Sequence, residues 1–189
     1  MKDKVRGELI KIRKNLSKYE VLQKSNKIKN RLFKMKEFKQ ASTIMFYVSY
    51  DNEVHTHEMI KDCITNKKNV VVPIVDKKNK KLIISKLKSW DDLSLGAYNI
   101  LEPKKEKIKE ISIDELELII VPGVGYDEQG HRIGHGKGYY DNLLKNSKVL
   151  TIGLAFEFQI IKKIPIEKHD ITIDKIVSEK RIIVSKKSK

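Results

Sequence analysis

The chain of 189 residues contains one cysteine, one tryptophan and four prolines. A single cysteine, Cys63, excludes an internal disulfide and any cysteine-based metal site. It lies in M-I-K-D-C-I-T-N-K, a helix-like pattern in which cysteine is more often a small buried hydrophobe than a nucleophile. No apolar run reaches the length needed to span a bilayer, so no membrane partner is expected. The opening M-K-D-K-V-R-G-E-L-I-K carries no apolar signal core, which points to a cytoplasmic protein. Arginine is scarce too. Only Arg6, Arg13, Arg31, Arg132 and Arg181 stand among 40 basic residues. Specific contacts to nucleic acid favour the planar arginine fork, and the lysines here are scattered. The net charge of +15 therefore reads as a lysine-rich composition, and no nucleic-acid partner is expected. Such a field still draws in a small anionic substrate.

What is present is enough for a core, since 40% of the residues are hydrophobic. Ser17 and Glu20 fit a capping box, so one helix should end near Asn15 and another begin after Ser17. T-I-M-F-Y-V-S (43 to 49) reads as a buried strand, and Thr56 as the N-cap of a helix through H-E-M-I-K-D-C-I-T-N. N-V-V-V-P-I-V (69 to 75) and K-L-I-I-S-K-L (81 to 87) read as strands about a lysine-rich turn. Residues 91 to 116 read as loop. L-E-L-I-I-V-P (116 to 122) and V-L-T-I-G-L-A-F (149 to 156) are further buried strands, with a helix from G-Y-Y-D-N-L-L-K-N between them. I-T-I-D-K-I-V and R-I-I-V suggest two short strands at the end. Alternating strands and helices predict an α/β fold with a mainly parallel sheet. No repeat or linker divides it, so a single domain over residues 1 to 189 is expected. In such sheets ligands bind beyond the carboxyl ends of strands, where the loops at 49 to 56 and 122 to 138 begin.

The second loop holds G-H-R-I-G-H-G-K-G-Y-Y-D (130 to 141), four of the nine glycines in the chain. It is not a Walker A loop, because His131 stands five residues before Gly136 where glycine is required. Tyr139 likewise excludes a G-x-G-x-x-G dinucleotide fingerprint. The physics is that of a phosphate loop nonetheless. Glycines admit close backbone approach, successive N–H groups form an anion nest, and the next helix offers its positive end. Lys137 and Arg132 add full charges, and Asp141 can hold magnesium, which takes few protein carboxylates when it bridges phosphates. Two other classes stay open on the residues alone: a nucleic-acid-binding protein, and a different phosphate-handling enzyme such as a sugar-phosphate isomerase.

The longer stretch V-P-G-V-G-Y-D-E-Q-G-H-R-I-G-H-G-K-G-Y-Y-D (121 to 141) closely resembles the signature of the 5-formyltetrahydrofolate cyclo-ligase family. Tyr126 stands where phenylalanine is usual. K-D-K-V-R-G-E-L resembles the family's N-terminal lysine and arginine four apart, S-Y-D-N-E-V-H-T its folate-side segment, and H-D-I-T-I-D its C-terminal aspartate segment. The resemblance covers nearly the whole chain. It implies a three-layer α/β/α Rossmann-like fold with N-terminal helices. It also implies an ATP- and magnesium-dependent closure of 5-formyltetrahydrofolate to 5,10-methenyltetrahydrofolate, with these small molecules as the partners of a monomer or weak dimer.

Residue by residue, the resemblance assigns Lys2, Arg6 and the loop Arg132, Ile133, Gly134, His135, Gly136, Lys137, Gly138, Tyr139 and Tyr140 to ATP. Lys137, with Arg132 and Tyr139, is the expected catalytic group. Tyr50, Glu53, His55, Tyr98 and Tyr139 fall to the folate, and Asp141 and Asp170 to Mg2+. Asp174 is a weaker metal candidate. His55 occupies a position where relatives often carry an acid, and Tyr98 one where some carry tryptophan. His55 and His57 are two residues apart with no third ligand, a poor metal pair.

Overall fold

The structure is a computed structural model that describes residues 2–167 and 170–185. Two helices open the chain, α1 (Lys2–Lys14) and α2 (Lys18–Lys34). The capping box between them forms as read: Ser17 Oγ accepts from the Glu20 N–H at 3.2 Å, and Glu20 Oε2 accepts from the Ser17 N–H at 2.8 Å. A short α3 (Lys36–Gln40) leads into β1 (Thr43–Met45), then α4 (His57–Thr65) and the long hairpin β2 (Asn69–Asp76) and β3 (Lys81–Leu87). The region expected to be loop folds a small hairpin, β4 (Leu93–Leu95) with β5 (Leu101–Pro103), among 3₁₀ turns. Next come β6 (Leu118–Val121), β7 (Gly125–Asp127), β8 (Arg132–Ile133), α5 (Tyr139–Leu144), β9 (Leu150–Leu154), β10 (Ile160–Ile161), β11 (Lys175–Val177) and β12 (Ile182–Val184).

Seven strands make one sheet in the order β12-β11-β9-β6-β1-β2-β3. The five inner strands are parallel, and β3 and β12 run antiparallel at the two edges. Alternate residues face opposite sides, as the pleat requires. Ile44, Val70, Val72, Leu118, Ile120, Ile152 and Leu154 join one core with residues of α2, α3 and α4. Met45, Val71, Ile119, Val121 and Ile176 join a second core with Leu144 of α5. The topology accounts for the two sides. The connection β1–α4–β2 moves toward one edge and β6–α5–β9 toward the other. Right-handed crossovers running in opposite directions place their helices on opposite faces. The chain thus switches direction between β1 and β6, and a crevice opens beyond their carboxyl ends.

Three expectations need correction. The strand expected over 43 to 49 keeps its ladder only through Met45; Phe46 adds one bond to Val71 O at 2.9 Å, and the chain then turns into the crevice. Thr56 precedes α4, but its side chain does not cap the helix. It donates to Tyr47 O at 2.8 Å and accepts from the Ser49 N–H at 3.0 Å, so the hydroxyl that would cap α4 ties down the loop after β1 instead. The glycine-rich segment, read as one loop, also carries β7 and β8, which pair with β10 in a separate three-stranded sheet.

Candidate active site

A cleft of about 360 Å³ lies at the switch point. One wall is the segment after β1, with Tyr50 and Glu53, and another is the glycine loop from Arg132 to Asp141. The hairpin of β2 and β3 supplies a third wall. Only Asn69 to Val71 of β2 pair with β1, so the rest of the hairpin projects past the sheet and presents Pro73, Val75 and Leu82. Tyr98 lies beside this wall, in a left-handed conformation (φ 58°), with its hydroxyl 3.4 Å from that of Tyr139.

The glycine loop is held from below and open above. Buried Asp127 is its anchor: the carboxylate accepts from the N–H groups of Gln129, His131 and Ile164, each at 3.0 Å, and meets His131 Nδ1 at 3.0 Å. Gly130 turns the chain here at φ 90°, and a Cβ would lie 2.4 Å from Ile173 O. Past β8 the character changes. The N–H groups of residues 134 to 138 donate to no protein acceptor among the described residues. Arg6 and Arg132 flank this run. Arg6 Nε donates to Gly134 O at 2.8 Å, and its guanidinium lies 3.6 Å from where a Cβ on Gly136 would stand. A Cβ on Gly134 would meet Arg132 Nη1 at 2.9 Å. Glycine at 134 lets the Arg132 guanidinium close on the backbone, and glycine at 136 meets a left-handed φ of 81°. Lys137 makes no ion pair among the described residues. α5 spans six residues, so the charged groups outweigh its helix dipole.

The expected residues divide into groups. Tyr50, Glu53, Tyr98, Arg132, Gly134, His135, Lys137, Gly138, Tyr139, Tyr140 and Asp141 line the cleft together. Arg6 and Gly136 are not among the cleft-lining residues, and Ile133 is fully buried, packed with Leu9, Val124 and Ile164. Lys2 is joined to Asp170 at 2.6 Å, a contact between the start of α1 and the C-terminal aspartate segment. His169 of that segment lies outside the described residues. Asp174 accepts from Thr151 Oγ1 at 2.7 Å and from its N–H at 2.9 Å, which fixes it to β9. His55 is not among the cleft residues. Its ring packs 4.3 Å from that of His57, which packs on Trp90 at 4.7 Å, and burial lowers its pKa to about 4.

Asp141 Oδ1 accepts from Arg132 Nη2 at 2.7 Å. No group of three or more His, Cys, Asp or Glu residues able to hold a metal occurs among the described residues. That donor set does not suit a cation caged by protein alone. It suits magnesium, which takes one or two carboxylates and completes its shell with phosphate and water. Tyr139 and Tyr140 both keep their phenol protons. The hydrogen bond to Tyr98 raises the pKa of Tyr139, and burial raises that of Tyr140.

One residue of this region escaped the sequence reading. Arg13 is 2% exposed, with Nη1 3.8 Å from Glu53 Oε1 and Nη2 3.8 Å from Asp51 Oδ2. A signal existed: Lys2, Arg6, Leu9 and Arg13 recur at helical spacing, so Arg13 shares a face with Leu9, which is buried.

The model of the 5-formyltetrahydrofolate cyclo-ligase family matches residues 1–179. The 5-formyltetrahydrofolate cyclo-ligase of Mus musculus is 31% identical over 186 residues, covering 93% of this chain and 92% of that protein. That of Saccharomyces cerevisiae is 35% identical over 156 residues, 69% of this chain and 72% of its own. The solved structure of Aquifex aeolicus 5,10-methenyltetrahydrofolate synthetase superposes with a TM-score of 0.88 at 30% identity, covering 100% of this chain and 94% of that one.

Proposed function

The chain belongs to the 5-formyltetrahydrofolate cyclo-ligase family, and from that premise we propose that it converts 5-formyltetrahydrofolate and ATP to 5,10-methenyltetrahydrofolate, ADP and phosphate. The observation that carries the reading is the run of N–H groups at residues 134 to 138 without protein acceptors among the described residues, flanked by Arg6, Arg132 and Lys137 and facing Glu53 across one cleft. A polyphosphate fits the first side of that cleft and a donor-rich heterocycle the second.

The chemistry sets what the site must do. The formyl group is an amide, so its carbon is a poor electrophile and its oxygen a poor leaving group. Transfer of the γ-phosphoryl group to the formyl oxygen, with ADP departing, makes that oxygen part of a good leaving group. N10 then attacks the formyl carbon and phosphate leaves, closing the ring. The protein's share is positioning and neutralisation of charge. Arg6 and the loop N–H groups hold the polyphosphate, and Lys137 meets charge on the phosphoryl group in transfer. Arg132 holds Asp141 until the nucleotide arrives, Glu53 accepts from the pterin edge, and Tyr139 and Tyr98 close over the substrate. Asp141 and Asp170 are the residues that would hold magnesium, which supplies neutralisation of the phosphate oxygens when bound.

The same reading takes the protein as one domain of three-layer α/β/α Rossmann-like form, working in the cytoplasm as a monomer or weak dimer. An absorbance assay with 5-formyltetrahydrofolate and magnesium-ATP tests it, because the methenyl product absorbs in the near ultraviolet where the substrate does not. A signal that requires both ATP and magnesium is expected. Folded protein that gives none would overturn the reading.

A further inference from the structure

Glu53 is 6% exposed, yet it lines the cleft. Its two oxygens are used differently. Oε2 accepts from the Tyr50 N–H at 3.2 Å, while Oε1 lies between His135 Nε2 at 3.3 Å and Arg13 Nη1 at 3.8 Å. Arg13 is more deeply buried still, and its Nε and Nη1 have no hydrogen-bond partner among the described residues. The segment carrying Glu53 is also docked on the helix that carries Arg13. Asn52 Nδ2 donates to Arg13 O at 3.1 Å and Leu16 O at 2.8 Å. So the segment carrying Glu53 is tied to the backbone of the helix that carries Arg13.

Burying a carboxylate is offset by a nearby cation. His135 is partly exposed on the glycine loop, on the solvent side of Glu53. Arg13 is on a helix, always charged, and cannot leave. Resting on the folate reading above, we propose that Arg13 is a positioning residue that holds the Glu53 carboxylate turned into the cleft, so that Glu53 accepts hydrogen bonds from the amino-pyrimidine edge of the folate. The distance of 3.8 Å is longer than a hydrogen bond. It leaves Oε1 available to the ligand while the charge is still felt. The other groups facing Arg13 and Glu53 are Asp51, which shares the guanidinium, Tyr50, whose pKa is raised by burial and then by Glu53, and the buried phenols of Tyr47, Tyr126 and Tyr140.

Steady-state kinetics of Arg13→Met against wild type test this. The expected result is a KM for 5-formyltetrahydrofolate raised about ten-fold or more, with the KM for ATP within about two-fold. A role in folding alone predicts losses for both substrates alike. An unchanged folate KM, or an equal loss for both substrates, overturns the proposal. Should Arg13→Met not fold, Arg13→Lys and Arg13→Gln decide the matter: a lower folate KM for Lys than for Gln supports it and equal values reject it. Wild-type turnover is measured first. Its absence would defeat the functional reading, and fluorescence titration of folate binding would still read the part of Arg13 separately.

Discussion

Arg132 Nη2 donates to Asp141 Oδ1 at 2.7 Å, so a buried cation and the candidate magnesium ligand hold each other at the lip of the glycine loop. A carboxylate engaged in this way is kept in place. A magnesium–nucleotide complex would then compete with Arg132 for one oxygen, and Arg132 would turn toward phosphate. Asp141→Asn keeps the shape but halves the acceptor capacity. It should raise the magnesium concentration for half-maximal rate by about ten-fold or more, the range seen for lost support of metal sites. A magnesium titration of initial rates checks this; an unchanged midpoint would remove Asp141 from the metal.

Lys137 belongs to the other class of site residue, one that the fold does not need. It is exposed and makes no ion pair among the described residues. Lys137→Ala should therefore leave the melting temperature unchanged while lowering kcat by about 10²–10³, as removal of a single donor to developing charge does elsewhere. Paired thermal melts and rates decide it. Wild-type rates would reject the assignment.

These residues were legible because their signals are local. The box Ser17–Glu20 closes within three residues, and the glycines of the loop announce their own backbone. The strands 69 to 75 and 81 to 87 carry β-branched runs and appear within one residue of expectation. What was illegible depended on partners distant in sequence. Gly125–Asp127 and Arg132–Ile133 are too short to show a period, and their ladder is completed by Ile160–Ile161. Arg13 reads as a solvated charge until the loop bearing Glu53 and Asp51 folds over it. Thr56 could not be told from a cap, because Tyr47 and Ser49 claim its hydroxyl only once the chain leaves β1.

His55 gives the acid side of stability. Burial lowers its pKa from 6.5 to about 4, and neighbouring His57, itself lowered by burial, adds to the effect. The depressed value means that the native state holds a neutral ring which the unfolded chain protonates. The stabilisation is present in full above pH 6.5 and is lost as pH falls toward about 4. Thermal melts over that window should show a falling melting temperature, with a shallower slope in His55→Asn. Equal slopes would mean that other groups control the acid limb.

Gly153 on β9 tests how closely the glycine loop is fitted to the sheet. A Cβ there would stand 2.5 Å from Tyr126 Cε1, and a Cβ on Gly123 would meet the same ring from the other side, 2.5 Å from Cζ. Tyr126 is fully buried, with its hydroxyl donating to Val121 O at 2.8 Å. The ring is thus clamped between two glycines and tethered at its tip, with no direction in which to retreat. Gly153→Ala should cost about 1–3 kcal/mol, the range for overpacking a core. At about 2–4 °C per kcal/mol for a chain of this size, the melting temperature should fall measurably. Tyr126→Phe removes the tether and the space taken by the hydroxyl, leaving Val121 O without that donor. If the clamp is the cause, Gly153→Ala should cost less in the Tyr126→Phe background than in the wild type. Additive losses would place the strain elsewhere, in the β9 backbone rather than against the ring.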